Sequence, residues 1–246
     1  PSVITEARER FLSEPIRGDK MRTGATSNRY TATLSHVLST ATTQWEWMHE
    51  NPCLKVKKTK ESRGRVRYLS KDELSRLLEA CKQSKNPFLY IIFLISLTTG
   101  ARRSEVLGLK GQDVHCEKGL LYLMDTKNGT NRAVQISEQI VNWLQACKLQ
   151  NDLLLFPSPT NPNVPYDIRS AWEAAIKRAG IQDFRFHDIR HTTASYLAIE
   201  GFSMLDIAET LGHKSMQMTK RYSHLSNEHK RKLAQKIERI INEESQ

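Results

Sequence analysis

The sequence predicts a mainly α-helical protein with one small antiparallel β-sheet. Apolar residues recur at helical spacing in several segments, before and after the one clear strand signal. That signal consists of two runs, Leu120–Met124 and Arg132–Ile136, which flank an Asn-Gly pair typical of a hairpin turn. With 246 residues, of which 39% are hydrophobic, the chain is long enough for one large or two modest domains.

Residues 1–54 form the first predicted domain, which is helical. Tyr30, Leu34 and Val37 are spaced i, i+4 and i+7 and predict the apolar face of one helix. Pro52 ends the segment. Because a segment of about 50 residues makes only a marginal core, we expect this domain to be incomplete at its N-terminus.

Residues 55–67 form a predicted basic linker, called the basic segment below. It contains seven Lys or Arg residues and one acidic residue, Glu61, with few apolar residues. Its composition leaves two interpretations open. The segment is either a solvated hinge that its own charge keeps extended, or a strap that lies across the phosphates of a nucleic acid and releases counterions.

Residues 68–246 form the second predicted domain. It opens with a capping box, Ser70 and Glu73, at the start of a helix. A further helix is predicted over Tyr166–Gly180, where the glycine ends it, and Ser203 is predicted to cap the next one. This domain is therefore expected to be helical apart from the hairpin.

Composition narrows the function classes. Lys and Arg number 37 against 27 Asp and Glu, and the formal net charge of +10 predicts attraction to nucleic acid or to an anionic membrane surface. The longest apolar run, Phe88–Leu97, is too short to span a bilayer and predicts a buried helix. The N-terminus lacks the pattern of a secretion signal, and four widely spaced cysteines predict free thiols in a reducing cytoplasm. Without a phosphate-binding glycine loop or a carboxylate cluster, we expect neither a nucleotide cofactor nor a metal.

Two short segments could carry chemistry. Arg102 follows Thr99-Gly100 between two predicted helices, and guanidinium groups beside free helix amides favour a phosphate. His187 and Arg190 lie three residues apart and share one face of a helix. Each pattern alone is equally typical of a protein surface.

A third segment contains His213 and Tyr222. Gly212 is predicted to end a helix in the left-handed conformation, which fixes His213 at a turn. The stretch from Met204 to Tyr222 also resembles a helix-turn-helix, two short helices joined at a glycine in a basic protein. A DNA-binding regulator without enzymatic activity is therefore a rival hypothesis.

Taken together, these segments occur in an order and at a spacing that are specific. They resemble the motifs of the tyrosine recombinase (phage integrase) family: Thr99-Gly-Ala-Arg102 with Glu105, Thr126-Lys127-Asn-Gly, His187-Asp-Ile-Arg190-His191, Leu211-Gly-His213 and Tyr222. The resemblance extends from Tyr68 to about Leu225, and residues 1–54 are similar to part of the family's core-binding domain. It implies the DNA breaking-rejoining fold for the second domain.

The resemblance also implies an activity, site-specific recombination without metal or ATP. Tyr222 would attack the scissile phosphate and form a 3′-phosphotyrosyl bond. The other roles that it implies are phosphate stabilisation by Arg102, Arg190 and His213, protonation of the leaving 5′ oxygen by Lys127, handling of the nucleophile's proton by His187, and orientation of the site by Glu105. With DNA as substrate, the basic segment is better explained as a phosphate strap that makes its contacts through Lys57, Lys58, Arg65 and Arg67.

Double-stranded DNA is the expected partner. The resemblance implies four copies of the chain on two duplexes, coupled by exchange of a C-terminal helix predicted over 227–242, although that helix could equally pack on its own domain. DNA-bending accessory proteins and a cytoplasmic, bacterial or phage-encoded setting are further expectations. The nearest enzymatic alternative is a type IB topoisomerase. Such an enzyme shares the nucleophile chemistry, but it relaxes DNA without exchanging strands between duplexes.

Overall fold

The computed structural model describes residues 1–16, 18–62, 64–125, 130–147 and 149–226, with Gln235 and Glu238. Lys127 and, apart from those two residues, the predicted helix 227–242 lie outside the described residues. The chain divides into two compact units, Pro1–Arg65 and Val66–Gln246. Over the described ranges, no helix is long and apolar enough to cross a membrane.

The first unit consists of α1 (Ser2–Ser13), α2 (Gly24–Thr43) and a 3-10 turn (Pro52–Lys55). Thr23 caps α2, because its hydroxyl accepts the backbone N–H of Thr26 at 3.2 Å. The predicted helix of this segment is therefore confirmed.

The apolar face predicted for α2 is not buried in this unit. Tyr30, Leu34 and Val37 are exposed, Tyr30 to 64%, whereas Ala41 is buried. α1 lies along one side of α2, with the Phe11 and Tyr30 rings 4.9 Å apart, and leaves most of this face open. Periodicity predicts a helix, but it does not specify which neighbours cover its apolar face.

The basic segment is held against α2 by its backbone. The Asn28 amide accepts the Thr59 backbone N–H and donates to the Thr59 carbonyl, both at 2.8 Å, and it donates to Glu61 at 2.8 Å. Lys57 and Lys58 are exposed. This part of the basic segment is therefore anchored in the first unit and is not a free tether.

The second unit is helical around one small sheet. Its elements in chain order are α3 (Lys71–Lys82), α4 (Leu89–Thr99), α5 (Arg103–Leu107), β1 (Val114–His115), β2 (Leu120–Asp125), β3 (Thr130–Gln135), α6 (Glu138–Ala146), α7 (Arg169–Arg178), α8 (Asp188–Glu200), α9 (Met204–Leu211), α10 (Met216–Thr219) and a 3-10 turn (Lys220–Ser226). The predicted fold class, mainly α with a small antiparallel sheet, is confirmed.

Capping boxes start two of these helices as predicted. The Ser70 hydroxyl accepts the Glu73 backbone N–H at 3.1 Å, and the Glu73 carboxylate accepts the Ser70 backbone N–H at 2.9 Å. Ser203 and Asp206 make the same reciprocal pair at the start of α9.

α7 is shorter than the helix predicted over Tyr166–Gly180. The Tyr166 backbone N–H donates to the Phe156 carbonyl at 2.8 Å, so this residue pairs with another segment and does not enter the helix. Gly180 follows the end of α7 with a φ of 64°, as its predicted role requires.

The sheet has the order β1-β2-β3, and both pairings are antiparallel. Leu121 pairs with Val134, and Leu123 pairs with Arg132. Leu121, Leu123 and Val134 are buried, whereas Tyr122 is partly exposed. Because side chains alternate along a strand, Arg132 shares the inward face with three buried apolar residues.

Two clusters of buried side chains form the core of this unit. The main core packs around α4, which is apolar on all sides, and this confirms the buried helix predicted over Phe88–Leu97. Trp172 of α7 lies against Phe93 of α4, with ring centroids 5.9 Å apart. The smaller cluster, called the tyrosine core below, consists of Ala194, Ala198, Ile207, Leu211 and Tyr222.

Candidate active site

The junction between α4 and α5 provides the first part of the site. Gly100 ends α4 in the left-handed conformation, and a Cβ there would lie 2.3 Å from the Leu211 side chain. Arg102 then occupies the N-cap position of α5. The Glu105 carboxylate accepts the Arg102 backbone N–H at 2.9 Å and its guanidinium at 2.6 Å. One carboxylate thus fixes both the backbone and the side chain of Arg102.

Glu105 is shared with a second arginine. Arg132 donates to its two carboxylate oxygens at 2.8 and 3.3 Å, and the Glu105 side chain is buried. Burial alone would raise the pKa of the Glu105 carboxyl, but hydrogen bonds from Arg132 and from the Arg102 backbone, together with the Arg132 charge, hold that pKa below its usual range. Glu105 is therefore ionised at neutral pH.

A third arginine completes an arginine cluster, defined here as Arg102, Arg132 and Arg190. Arg190 is buried on α8 and donates to the Gly100 carbonyl at 2.8 Å. Burial, followed by the charges of Arg102 and Arg132, lowers the pKa of Arg190 to about 10, so it remains a cation at neutral pH. Three cations around the single carboxylate of Glu105 leave an excess of positive charge, which suits a phosphate.

His213 lies at the turn after α9. Gly212 has a φ of 65°, and the His213 backbone N–H donates back to the Ala208 carbonyl at 2.8 Å. The His213 Nδ1 lies 2.7 Å from the Thr219 hydroxyl. Burial, followed by the charge of Arg190, lowers the pKa of His213 to about 4, so the ring is neutral at pH 7. When the hydroxyl donates to Nδ1, Nε2 carries the proton and can donate to an anion.

Tyr222 lies in the 3-10 turn after α10, in the tyrosine core, and is only 1% exposed. Its hydroxyl lies 2.5 Å from Nδ1 of His191 on α8. Burial raises the pKa of Tyr222, against the charges of Arg221 and Arg190. Burial also lowers the pKa of His191, to about 4. A protonated phenol therefore faces a neutral imidazole.

His187 occupies the N-cap position of α8. Its ring lies 5.7 Å from the His191 ring, edge to face. Burial, followed by the charge of Arg190, lowers the pKa of His187. Both imidazoles on this helix are therefore held toward the neutral form beside Arg190.

The phage integrase family model matches residues 67–229, more than half of the chain and the whole of the site described above. This chain belongs to the phage integrase family. The family to which the sequence motifs pointed is thereby confirmed.

Two relatives show how far the likeness extends. The shufflon-specific DNA recombinase of Escherichia coli is 35% identical over 215 residues, which cover 85% of this chain and 53% of the relative. The integrase of Salmonella phage P22 is 30% identical over 248 residues, which cover 95% of this chain and 62% of the relative. This phage integrase family member therefore spans about half to two thirds of the length of these curated relatives.

Solved structures of the family share the fold. The catalytic domain of bacteriophage HP1 integrase is 30% identical, covers 70% of this chain and 95% of its own, and gives a TM-score of 0.56. The Tn1549 transposon integrase in complex with a circular intermediate DNA gives a TM-score of 0.72 at 18% identity, over 94% of this chain and 84% of its own.

The structure brings most of the motif residues of this integrase family member into two neighbouring groups. Arg102, Glu105 and Arg190 meet in the arginine cluster. Tyr222 and His213 lie on the turns beside it, where the charge of Arg190 acts on both. Lys127 lies outside the described residues.

Two residues of the site received no role from sequence reasoning. Arg132 holds Glu105, and the signal for it was its inward position in the predicted hairpin, where an arginine needs a buried partner. His191 holds the Tyr222 hydroxyl, and the signal was its position four residues after His187, one turn along the same helix.

The four residues proposed to contact DNA fall in different surroundings. Lys57 and Lys58 are exposed, whereas Arg65 is half-buried. Arg67 belongs to the second unit and pairs with Glu73 at 2.5 and 3.0 Å, which raises the pKa of Arg67. No group of His, Cys, Asp or Glu side chains suited to a metal occurs among the residues that the structure describes.

Proposed function

We propose that this protein is a site-specific DNA recombinase that cleaves and rejoins DNA strands through a covalent 3′-phosphotyrosyl intermediate. The observation that carries the proposal is the buried Tyr222 hydroxyl, held by an imidazole and lying in the field of Arg190. A metal-independent phosphoryl transfer needs a nucleophile, cations for the phosphate oxygens and a proton for the leaving group. The proposal assigns the first two requirements to described residues, Tyr222 and the arginine cluster.

In the proposed reaction, the Tyr222 oxygen forms a bond to the scissile phosphorus and the bond from phosphorus to the 5′ oxygen breaks. Arg102 and Arg190 bind the non-bridging oxygens, since a guanidinium fork can reach two oxygens at once. Glu105 keeps Arg102 in place without neutralising the whole cluster. His213 donates a further hydrogen bond from its neutral ring.

The family resemblance supplies the rest of the proposed set. Lys127 gives the leaving 5′ oxygen its proton, and His187, beside Arg190, completes the catalytic residues. Rejoining is the reverse step, in which a 5′ hydroxyl of the same or another strand attacks the phosphotyrosyl bond. The bond energy is conserved, so no ATP is needed.

The proposed domain organisation follows the same logic. Residues 1–54 act as a core-DNA-binding domain, 55–67 as the basic segment that follows the phosphates, and 68–246 as the catalytic domain. Within the basic segment we expect Lys57, Lys58, Arg65 and Arg67 to make the phosphate contacts, with the exposed Lys57 and Lys58 contributing more than Arg67, whose guanidinium binds the Glu73 carboxylate.

A recombination reaction also needs two duplexes and a set of active sites. We therefore propose a homotetramer on two duplexes, coupled through the C-terminal segment 227–242, with DNA-bending accessory proteins at sites that require them. The shufflon-specific DNA recombinase and the phage integrases among the relatives support recombination over simple relaxation.

The test uses duplexes that tile the DNA flanking the gene, each with a nick just 3′ of a candidate scissile phosphate, incubated with EDTA present. The nick lets the leaving fragment diffuse away and traps the covalent complex, which a denaturing gel detects. We expect a protein–DNA band for wild type and none for Tyr222→Phe, although both proteins bind the DNA. Tyr90→Phe, at a hydroxyl bonded to Gln139, is the matched control and should keep the band.

Two other outcomes would redirect the proposal. Covalent complex formation with relaxation of supercoiled DNA, but no strand exchange between duplexes, would indicate a type IB topoisomerase. Tight binding with no band on any site, and unchanged function of Tyr222→Phe, would indicate a regulator that binds through its helix-turn-helix-like segment.

A further inference from the structure

We propose that His191 is a catalytic residue, the group that takes the proton of the Tyr222 hydroxyl when the tyrosine attacks. This inference rests on the proposed function and assigns one step within it. The motif around α8 suggested His187 for this task, but the described hydrogen bond of the nucleophile goes to Nδ1 of His191, at 2.5 Å.

Burial leaves the phenolic proton few destinations. Tyr222 is 1% exposed, so its hydroxyl is closed to bulk water in this arrangement, and the turn that carries it must shift before a phosphate reaches it. A proton-transfer partner must lie within hydrogen-bond reach of the proton that it takes. His191 meets that requirement through Nδ1.

The packing of α8 fixes this pair. Ala194 and Ala198 lie three and seven residues after His191, so all three residues lie on one face of the helix. Both alanines belong to the tyrosine core, which also contains the Tyr222 ring. Their small side chains leave room for the ring beside the helix that carries the imidazole. The distance between the two groups is therefore set by packed side chains.

The surroundings of His191 keep its ring unprotonated before the reaction but also make it a weaker base. Burial, then His187, Arg221 and Arg190, disfavour its cationic form, while Asp188 favours it. The ring is thus neutral before the reaction and has a lone pair for the proton. The negative charge that the phosphate brings to the site would offset the arginines and make the imidazolium easier to form.

The Tyr222 oxygen bonds to phosphorus, its proton moves to Nδ1 of His191, the bond from phosphorus to the 5′ oxygen breaks, and Lys127 in the proposed scheme protonates that oxygen. In rejoining, the imidazolium returns its proton to the departing tyrosine oxygen. His187 then needs no direct contact with the nucleophile.

The experiment measures the single-turnover rate of covalent complex formation on a nicked duplex that wild type cleaves. His191→Phe removes the acceptor, and His191→Asn offers a hydrogen bond to the hydroxyl but cannot take its proton. We expect both variants to bind DNA as wild type does and to form the complex at least about 100-fold more slowly, the usual scale for losing a general base. Having two replacements of different size guards against loss of folding in either one, which thermal unfolding will show.

A second arm identifies the defect as one of deprotonation. A fluorinated tyrosine at position 222 has a more acidic phenol and depends less on a base. We expect it to recover at least about tenfold of the lost rate in the His191 variants, and to recover none in Arg190→Lys, where the phosphate contact is damaged.

The outcomes separate this inference from the proposed function. Absence of a Tyr222-dependent band in wild type defeats the proposed function itself. A wild-type band with unchanged or faster complex formation in the His191 variants overturns the inference. The histidine would then hold the tyrosine in place without taking its proton. Rescue by fluorotyrosine in His187→Gln, but not in the His191 variants, also overturns it and assigns the proton to His187.

Discussion

Arg132 donates two hydrogen bonds to Glu105, a residue 27 positions earlier in a different element. The same carboxylate holds Arg102. The Arg132 side chain also lies against Gly212, where a Cβ would be 2.9 to 3.1 Å from its atoms, and His213 is the next residue. One guanidinium therefore connects the hairpin, the N-cap of α5 and the turn that carries His213.

Glu105→Gln should lower both stability and cleavage. The variant leaves Arg102 and Arg132 without their shared carboxylate, and loss of one partner from a buried ion pair costs about 3 kcal/mol or more. Because the folded-state pKa of Glu105 is lowered, its contribution is present above the unfolded pKa and disappears as the pH falls through the folded pKa. Urea unfolding between pH 7 and 3 measures this effect. The difference in unfolding free energy between wild type and variant should become smaller as the pH falls. The exposed Glu117→Gln should show no such loss.

Arg132→Met should slow cleavage more than Arg132→Lys does. Lysine keeps the charge but has no planar fork for the two carboxylate oxygens, and methionine keeps only the apolar stem. We expect the cleavage rate on a nicked duplex to fall at least about tenfold for lysine and further for methionine, with DNA affinity nearly unchanged. Equal rates for wild type and Arg132→Met would show that the link between the hairpin and Arg102 has no role in catalysis. Lys118→Met, on the exposed surface, is the control.

Gly212→Ala should be more damaging than Gly180→Ala. Both glycines have nearly the same φ, 65° and 64°, so each alanine carries a similar backbone cost of about 1 kcal/mol. The space around Gly180 is open, whereas a Cβ at Gly212 meets Arg132. The difference in unfolding free energy between the two variants isolates that clash, and only Gly212→Ala should also slow cleavage, because His213 shifts with it.

Stability should fall as the pH is lowered from 7 toward 4. The folded-state pKa values of His191 and His213 are about 4, below the usual value of 6.5, so between these limits the unfolded chain binds more protons than the folded one. Denaturation midpoints at pH 7, 6 and 5 measure the slope. His213→Gln should flatten it. A bound oligonucleotide should reduce this loss of stability, because its phosphate charge favours the imidazolium forms.

Neutralising the basic segment should reduce affinity without changing site preference. Each lysine that contacts a phosphate releases counterions, so the double variant Lys57→Gln and Lys58→Gln should lower the slope of log affinity against log salt by roughly 2. Filter binding at several salt concentrations, on cleaved and on unrelated duplexes, gives that slope. Lys118→Gln is the matched control, and a similar slope change for it would remove the basic segment from the DNA contact.

Local patterns in the sequence predicted much of the fold. Ser70 and Glu73 lie three residues apart, so the sequence itself specifies their capping box. The two strands of the hairpin follow from their own residue pattern in the same way, whereas the Asn-Gly pair lies outside the described residues. These features depend on neighbours within a few positions, where backbone geometry leaves few alternatives.

The parts of the site that the sequence did not predict depend on contacts between segments that lie far apart in the chain. His191 and Tyr222 are 31 residues apart and meet only because α8 and the 3-10 turn pack into one core. The exposure of Tyr30 could not be predicted for the same reason, since burial of an apolar stripe depends on which element covers it. No short-range pattern encodes either arrangement.

The hydrogen bonds between Asn28 and Thr59 have a consequence for the energetics of DNA binding. Ordering one backbone residue costs about 1–2 kcal/mol of conformational entropy. A free strap would lose that entropy upon meeting DNA, whereas this one has already lost part of it when the first unit folds. On the proposed function, Lys57 and Lys58 would then give up little more than the rotational freedom of their own side chains on binding a phosphate.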